Sequence, residues 1–407
     1  MHTLRQIVTV ALAFVGIIVG AGFASGQEVM QYFVAFGPGG LWGGVASAVV
    51  MSVMAMIILQ LGSYFNADQH GDVFRRVSHP IFSRILDIGV VITLFSTGLV
   101  MFAGAGSNLN QQWGAPMWVG AVLMVVLVLA AGMLDVDRVT AVIGAITPAI
   151  IVLLSVASVY VLAFTDHAPA EQLHQAAAQV GTTLPNWGVA AVNYVGFNLM
   201  VAVSMAVVIG GRMFHPRVAG RGGLLGGLIY SALLLLSTWT LYSCVDRVGG
   251  DDVPMLSIIN ELSPQLGWLM ALVVYGMIFN TALGMFYALA KRLSARDPQH
   301  FRRYYIVTVL IGFALSFLGF RTLVGAVYPI LGYIGLLLIA VMVVAWVRGR
   351  SRILQEASRR RRITDLLQLR DDPTTGWEPA QQHELRVAVK ESNLDGSQIA
   401  EAVDREG

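Results

Sequence analysis

Residues 16–28 read Gly16-Ile17-Ile18-Val19-Gly20-Ala21-Gly22-Phe23-Ala24-Ser25-Gly26-Gln27-Glu28. This stretch sits inside an apolar run that starts near Ile7 and is long enough to cross a bilayer. Gly16, Gly20, Gly22 and Gly26 fall within eleven residues, each costing about 1 kcal/mol relative to alanine in a helix. A uniform helix is therefore not expected here, and the chain should open near Val19–Phe23. Opened backbone at membrane depth is tolerated only where its amides and carbonyls meet protein, water or a ligand. Half-helix ends then offer carbonyls to a cation and amides to an anion. Gly16-xxx-Gly20 also has the spacing of a small-residue packing motif, the competing explanation. The polar Ser25, Gln27 and Glu28 in the same span favour the ligand site.

The surroundings of this stretch are those of a polytopic membrane protein. Of 407 residues, 56% are hydrophobic and 12% charged, too little charge to coat a soluble domain of this size. Apolar runs place spans at 5–36 (interrupted), 41–65, 85–108, 116–134, 139–164, 187–210, 222–245, 266–290, 303–319 and 322–346. The segment 253–264, with Pro254, Glu261 and Pro264, is too short to cross and is expected at an interface. The first run is longer than the core of a signal peptide and is retained as a span. Cys244 is the single cysteine, which excludes an internal disulfide and a multi-cysteine metal site.

The net charge of +2 hides a strong asymmetry. One side of the ten spans receives Arg5, Arg75, Arg76, Arg84, Arg138, Arg212, Arg217, Arg221, Lys291, Arg292, Arg296, Arg302, Arg303 and the run from Arg348 to Arg362. The other side receives Arg247 and Arg321. The positive-inside rule puts both termini in the cytoplasm of a multi-pass protein of the cell inner membrane. Residues 347–407 are polar and are expected to form a flexible cytoplasmic tail, with Arg359–Arg362 against anionic headgroups.

The second half of the chain repeats the first. Phe14-Val15-Gly16 meets Tyr194-Val195-Gly196 at an offset of 180, and the run from Gly39 to Gly44 meets the run from Gly222 to Gly227 at 183. Phe95-x-Thr97-x-Leu99-x-Met101-Phe102 meets Phe279-x-Thr281-x-Leu283-x-Met285-Phe286 at 184. Residues 143–148, ending Thr147-Pro148, meet 324–329, ending Tyr328-Pro329, at 181. Five spans per copy turns the second copy upside down. The expected fold is an all-α membrane protein of ten helices in a 5+5 inverted repeat: 1–164, an extracytoplasmic loop at 165–186, then 187–346.

The string Gly16-x-x-Val19-Gly20-Ala21-Gly22-Phe23 resembles the first-helix signature of the amino acid–polyamine–organocation superfamily, which has the LeuT fold. The longer string from Gly20 to Glu28 is similar to the YkvI-like membrane proteins. The resemblance covers residues 1–346. It implies a sodium site at the carbonyls of Gly16, Val19 and Met277 and the side chains of Asn280 and Thr281. The last two are an adjacent polar pair in an apolar span, and an ordinary interhelical hydrogen bond is the alternative. It further implies a substrate site near Gly20, Ala21, Gly22 and Phe23, with Phe197 and Asn198 on the sixth span and Ser96 or Thr97 on the third. Span 6 lacks the glycine that should follow Asn198. Proton-coupled relatives place a lysine on the fifth helix, and residues 139–164 contain none, which favours sodium.

Glu28 and Arg321 are expected either to close an outer gate as an ion pair or to be solvated separately. The function these features point to is secondary active transport of an amino acid or related small organic solute. The expected partners are that solute and the lipid bilayer, not nucleic acid, with no cofactor beyond a sodium ion. A membrane enzyme is the alternative from another class, but the chain has no HExxH motif and no paired intramembrane carboxylates. A sensor would depend on the tail, and a channel would need a polar stripe that no span carries.

Overall fold

The computed structural model describes all of the chain except residues 1, 134–145, 296, 372–376 and 407. Arg138, Arg296 and the first turns expected for span 5 lie outside the described residues. The described chain is helical: α1 His2–Ile18, α2 Ala21–Ser25, α3 Gln27–Tyr32, α4 Pro38–Phe65, α5 His70–Val77, α6 Pro80–Trp113, α7 Met117–Met133, α8 Ile146–Phe164 and α9 Ala170–Ala178. There follow α10 Trp187–Gly211, α11 Pro216–Ser243, α12 Val245–Val248, α13 Pro254–Leu262, α14 Pro264–Leu293, α15 Phe301–Ser316, α16 Phe320–Asp371, α17 Pro379–Glu391 and α18 Gly396–Glu406.

Among the described residues seven helices are long and apolar enough to cross a membrane, and α1 and α7 are shorter apolar helices. α15 occupies the position expected for span 9, and α13 that of the interfacial segment. Proline at the first turn starts α4, α6, α11, α13 and α14, where its missing N–H leaves nothing unpaired. The outer surface is apolar: Trp42, Trp118, Trp239 and Trp268 are exposed alongside Val49, Val126 and Leu272. That is the reverse of a soluble protein and fits a lipid-facing wall. The chain is a multi-pass, all-helical membrane protein.

The helices pack in two groups. α4 lies against α10 and α11, and α1 against α11; α6 lies against α7, α14 and α15. The repeated glycine motif is a packing device. A Cβ on Gly222 or Gly226 would meet α1 at Val10 or Ala11 within 2.6–2.8 Å, and one on Gly223 or Gly227 would meet α4 at Ala55 or Ser52 within 2.5–2.6 Å. One helix thus presents two bare stripes, and both neighbours close onto its backbone.

The tail differs from the flexible segment expected. α16 continues past the membrane to Asp371, and Ile353, Glu356, Ala357, Arg360, Ile363 and Leu366 are buried along one face. Ile363 joins Phe214, Leu394, Ile399 and Ala402 in a small apolar core. Arg360, fully buried, donates to Glu356 Oε1 (3.0 Å), Ser63 O and Phe214 O (2.9 Å each), and Tyr64 O and Asn393 Oδ1 (2.8 Å each). It pins the tail to the ends of α4 and α10. Arg359 pairs with Glu356 and Glu391, and Arg362 with Glu384. These arginines are held by protein, which is why the tail docks.

Burial alone would raise the Glu356 carboxyl, but hydrogen bonds from Ser392 and Arg359 and the Arg360 guanidinium bring it below its ordinary 4.5. The stability it contributes is therefore complete above 4.5 and lost as pH falls through the lowered folded value. Arg360→Ala removes five hydrogen bonds, three of them to carbonyls at the ends of α4 and α10, leaves Glu356 only Arg359 and Ser392, and should loosen the tail by about 3–5 kcal/mol. Limited proteolysis and amide exchange over residues 347–407 read both effects: the variant should open the tail at neutral pH, and acid should open it in the wild type.

Candidate functional site

The first span breaks where its glycines cluster. The helical ladder ends with Val19 N–H to Val15 O (2.9 Å) and resumes with Ala24 N–H to Gly20 O (3.0 Å). The carbonyls of Gly16 to Val19 and the amides of Gly20 to Phe23 have no helical partner. Gly20 is extended (φ −102°, ψ 177°). A second break follows at Gly26, whose φ of +83° is left-handed and suits glycine. Ser25 bridges the two: its Oγ donates to Gly22 O (2.7 Å) and accepts from Gln27 N–H (3.2 Å).

Those breaks open onto a cavity of about 780 Å³. Of the residues expected at a site, Gly16, Val19, Gly20, Ala21, Gly22, Thr97, Phe197, Asn198, Met277, Asn280 and Thr281 all line it, as does Glu28. Among the described residues the packing explanation for Gly16-xxx-Gly20 finds no neighbour. A Cβ at Gly16 would meet nothing within 4 Å, and one at Gly20 only Ile18 O at 4.0 Å.

Three expectations differ, and span 6, which lacks the glycine after Asn198, stays closed. Phe23 turns away from the cavity and packs on Tyr230, ring centroids 5.4 Å apart. Ser96 does not line the cavity; its neighbour Thr97 does, because adjacent helical positions diverge by about a quarter turn or more. α10 runs unbroken from Trp187 to Gly211, and Asn198 Nδ2 donates to Tyr194 O (3.0 Å) within the same helix. Glu28 and Arg321 do not form an ion pair. Arg321 donates to Gly249 O (3.0 Å) and Gly250 O (3.2 Å) and is tied by its own carbonyl to Gln31 Nε2. The left-handed turn at Gly26 re-aims α3, so the Glu28 carboxylate folds back over Gly22, where a Cβ would overlap it.

Tyr328 is the residue sequence reasoning missed. It is fully buried, lines the cavity, stacks on Phe197 (4.0 Å, 19°), and its hydroxyl has no hydrogen-bond partner among the described residues. Thr97 Oγ1, also buried, is likewise without one. The signal was in the repeat. Thr97 and Thr281, Met101 and Met285, and Thr147 and Tyr328 are matched pairs, and both members of each line the cavity.

The cavity shares Val201, Met205, Gly284 and Met285 with a second cavity of about 950 Å³, which runs to the end of the bundle carrying Arg75, Lys291 and Arg292. There Arg292 pairs with Asp87 (2.8 Å) and contacts His70 Nε2 (2.8 Å), while Ser204 Oγ lies 3.0 Å from His70 Nδ1. Burial first, then the Arg292 charge, push His70 down to about 4, so it is neutral at pH 7. This cluster ties α5, α6, α10 and α14 together beside the path. No group of three or more His, Cys, Asp or Glu residues suited to a metal occurs among the described residues.

No family model matches the chain. It is 25% identical over 332 residues to the membrane protein YkvI of Bacillus subtilis (strain 168), covering 82% of this chain and 94% of that one. Its fold is that of MhsT in complex with L-phenylalanine (TM-score 0.57, 14% identity, 98% of each chain). It is also that of the inward-facing conformation of Mhp1 (TM-score 0.53, 14% identity, 98% of this chain and 94% of that one).

Cys244 is fully buried, so the wild type should be silent to a polar maleimide. Met205→Cys and Gly284→Cys, on the shared stretch, should label within minutes, and labelling should be read by mass. Silence at both positions would mean the two cavities are not joined in solution.

Proposed function

We propose that this homologue of YkvI, with its LeuT-like fold, is a secondary active transporter of an amino acid or related small organic solute, coupled to sodium. The observation that carries the reading is the single cavity at the broken helix. Backbone carbonyls released at membrane depth, matched residues from both halves of the chain, and a path to one end of the bundle meet there. Such a cavity between repeats is what alternating access requires. The binding of L-phenylalanine by MhsT supports the amino-acid class.

The same reading takes the chain as ten spans in two inverted five-helix repeats. α1, α4, α10 and α11 pack as one group and α6, α7, α14 and α15 as another, and the sequence offset relates α1 to α10, α4 to α11 and α6 to α14. Both termini are assigned to the cytoplasm of the inner membrane, so the path past His70 leads inward. The solute sits against Gly20, Ala21 and Gly22, with Thr97, Phe197 and Tyr328 around it. No step of this cycle makes or breaks a covalent bond in the solute.

Sodium would be held by Gly16, Val19 and Met277 carbonyls and by Asn280 and Thr281. The residues fit: among the described residues the Gly16 and Val19 carbonyls have no helical partner, and no hydrogen bond engages the Asn280 and Thr281 side chains, which line the same cavity. Neutral oxygens suit a hard cation.

Purified protein in proteoliposomes should take up a labelled amino acid when an inward sodium gradient is imposed. Thr281→Ala removes one oxygen and keeps a good helix former. It should weaken sodium about tenfold, about 1.4 kcal/mol, read as a rightward shift in the sodium dependence of thermal stabilisation. An unchanged sodium response would remove Thr281 from the site.

A further inference from the structure

Glu28 is the one charged residue lining the central cavity among the described residues. It is 5% exposed, and among the described residues no hydrogen bond or ion pair engages its carboxylate. An isolated buried carboxylate is costly by several kcal/mol, so a fold retains one at membrane depth where something neutralises it. Its position is built. The left-handed turn at Gly26 sends the side chain back along the span, and the absence of a Cβ at Gly22 leaves room for the carboxylate beside the opened backbone.

The neighbours are arranged for a visitor rather than for Glu28. Four buried tyrosines lie within its electrostatic reach. Tyr32 OH donates to Asn193 Oδ1 (3.1 Å), and the Tyr194 and Tyr230 hydroxyls bond each other (2.7 Å), so these three are engaged. Tyr328 OH and Thr97 Oγ1 are not, and both line the cavity. Beside them the Phe197–Tyr328 stack offers aromatic surface of the kind that attracts an ammonium group. No basic side chain lines the cavity among the described residues.

From this we infer that the transported solute carries a cationic nitrogen that docks on the Glu28 carboxylate, with Thr97 and Tyr328 as its further hydrogen-bond partners. The inference rests on the transporter reading and names the chemistry of its substrate. A protonated amine cancels the buried charge, and N–H donors reach acceptors that the protein leaves open. A neutral isostere would leave the carboxylate unpaired, which is the basis for discrimination. A zwitterion satisfies the same requirement through its ammonium group.

The test is a thermal-shift panel on the full-length protein. It uses amino acids, primary and quaternary amines of similar size, and their neutral amide and anionic acid counterparts, on wild type and Glu28→Gln. Every stabilising compound should carry a cationic nitrogen, and Glu28→Gln should weaken it at least tenfold while melting near the wild-type temperature when no compound is added. Should Glu28→Gln fail to fold, Glu28→Asp serves instead, since it keeps the carboxylate but draws it back by one methylene and should weaken the cationic compounds while leaving any neutral ones unaffected.

Stabilisation by neutral or anionic compounds alone would overturn the inference. So would equal binding of amines by Glu28→Gln, including the case where that variant loses only the pH dependence of uptake, which would make Glu28 a proton carrier. Absence of any bound compound together with absence of proteoliposome uptake would strike the transporter reading itself. The two failures are therefore distinguishable.

Discussion

Hydrocarbon cannot hydrogen-bond a peptide group, so a helix that opens inside a bilayer must pass its freed carbonyls and amides to something else. In this chain the opening is at Gly16–Phe23, and among the described residues no N–H takes up the carbonyls of Gly16 to Val19. The remaining architecture follows from that. α10, α14 and the proline-bearing start of α8 bring polar side chains and a cavity to the opened backbone, and Ser25 joins the two breaks so that the short α2 stays in register. Close glycine packing of α1, α11 and α4 holds the intact part of the first helix while the rest is left open.

Arg360 and Glu28 show how differently one fold can treat the cost of burying an ionisable side chain. Arg360 uses all of its donor directions on carbonyls, an amide oxygen and Glu356, and the result is a joint between the tail and the ends of two spans. Glu28 has none of this and faces the cavity. A satisfied buried charge reads as architecture and an unsatisfied one as a place for a ligand.

Much of this was legible in the residues. The glycine spacing located the break to within a turn, and the resemblance to the LeuT-fold superfamily pointed to Thr97 and Thr281. What the residues hid had physical causes. The aim of Glu28 depends on one left-handed peptide at Gly26, and a change of backbone sign leaves no trace in hydrophobic periodicity. Phe23 and Ser96 lie beside cavity residues in sequence, but each turns to another face of its helix. The tail looked solvated because Arg360 sits in the middle of its buried stripe of Ile353, Ala357, Ile363 and Leu366. A four-arginine run masks an amphipathic face when one of the arginines is the anchor. Tyr328 was visible only through its match to Thr147.

The central claim is that the opened backbone of the first span is the ligand site. Amide hydrogen exchange over residues 16–28 of the purified protein tests it most directly. The account predicts that the amides of Gly20–Phe23 exchange far faster than those of α1 or α4, and that sodium together with a bound amino acid slows them selectively. Exchange as slow as in the flanking helices, or protection that does not respond to either ligand, would contradict it.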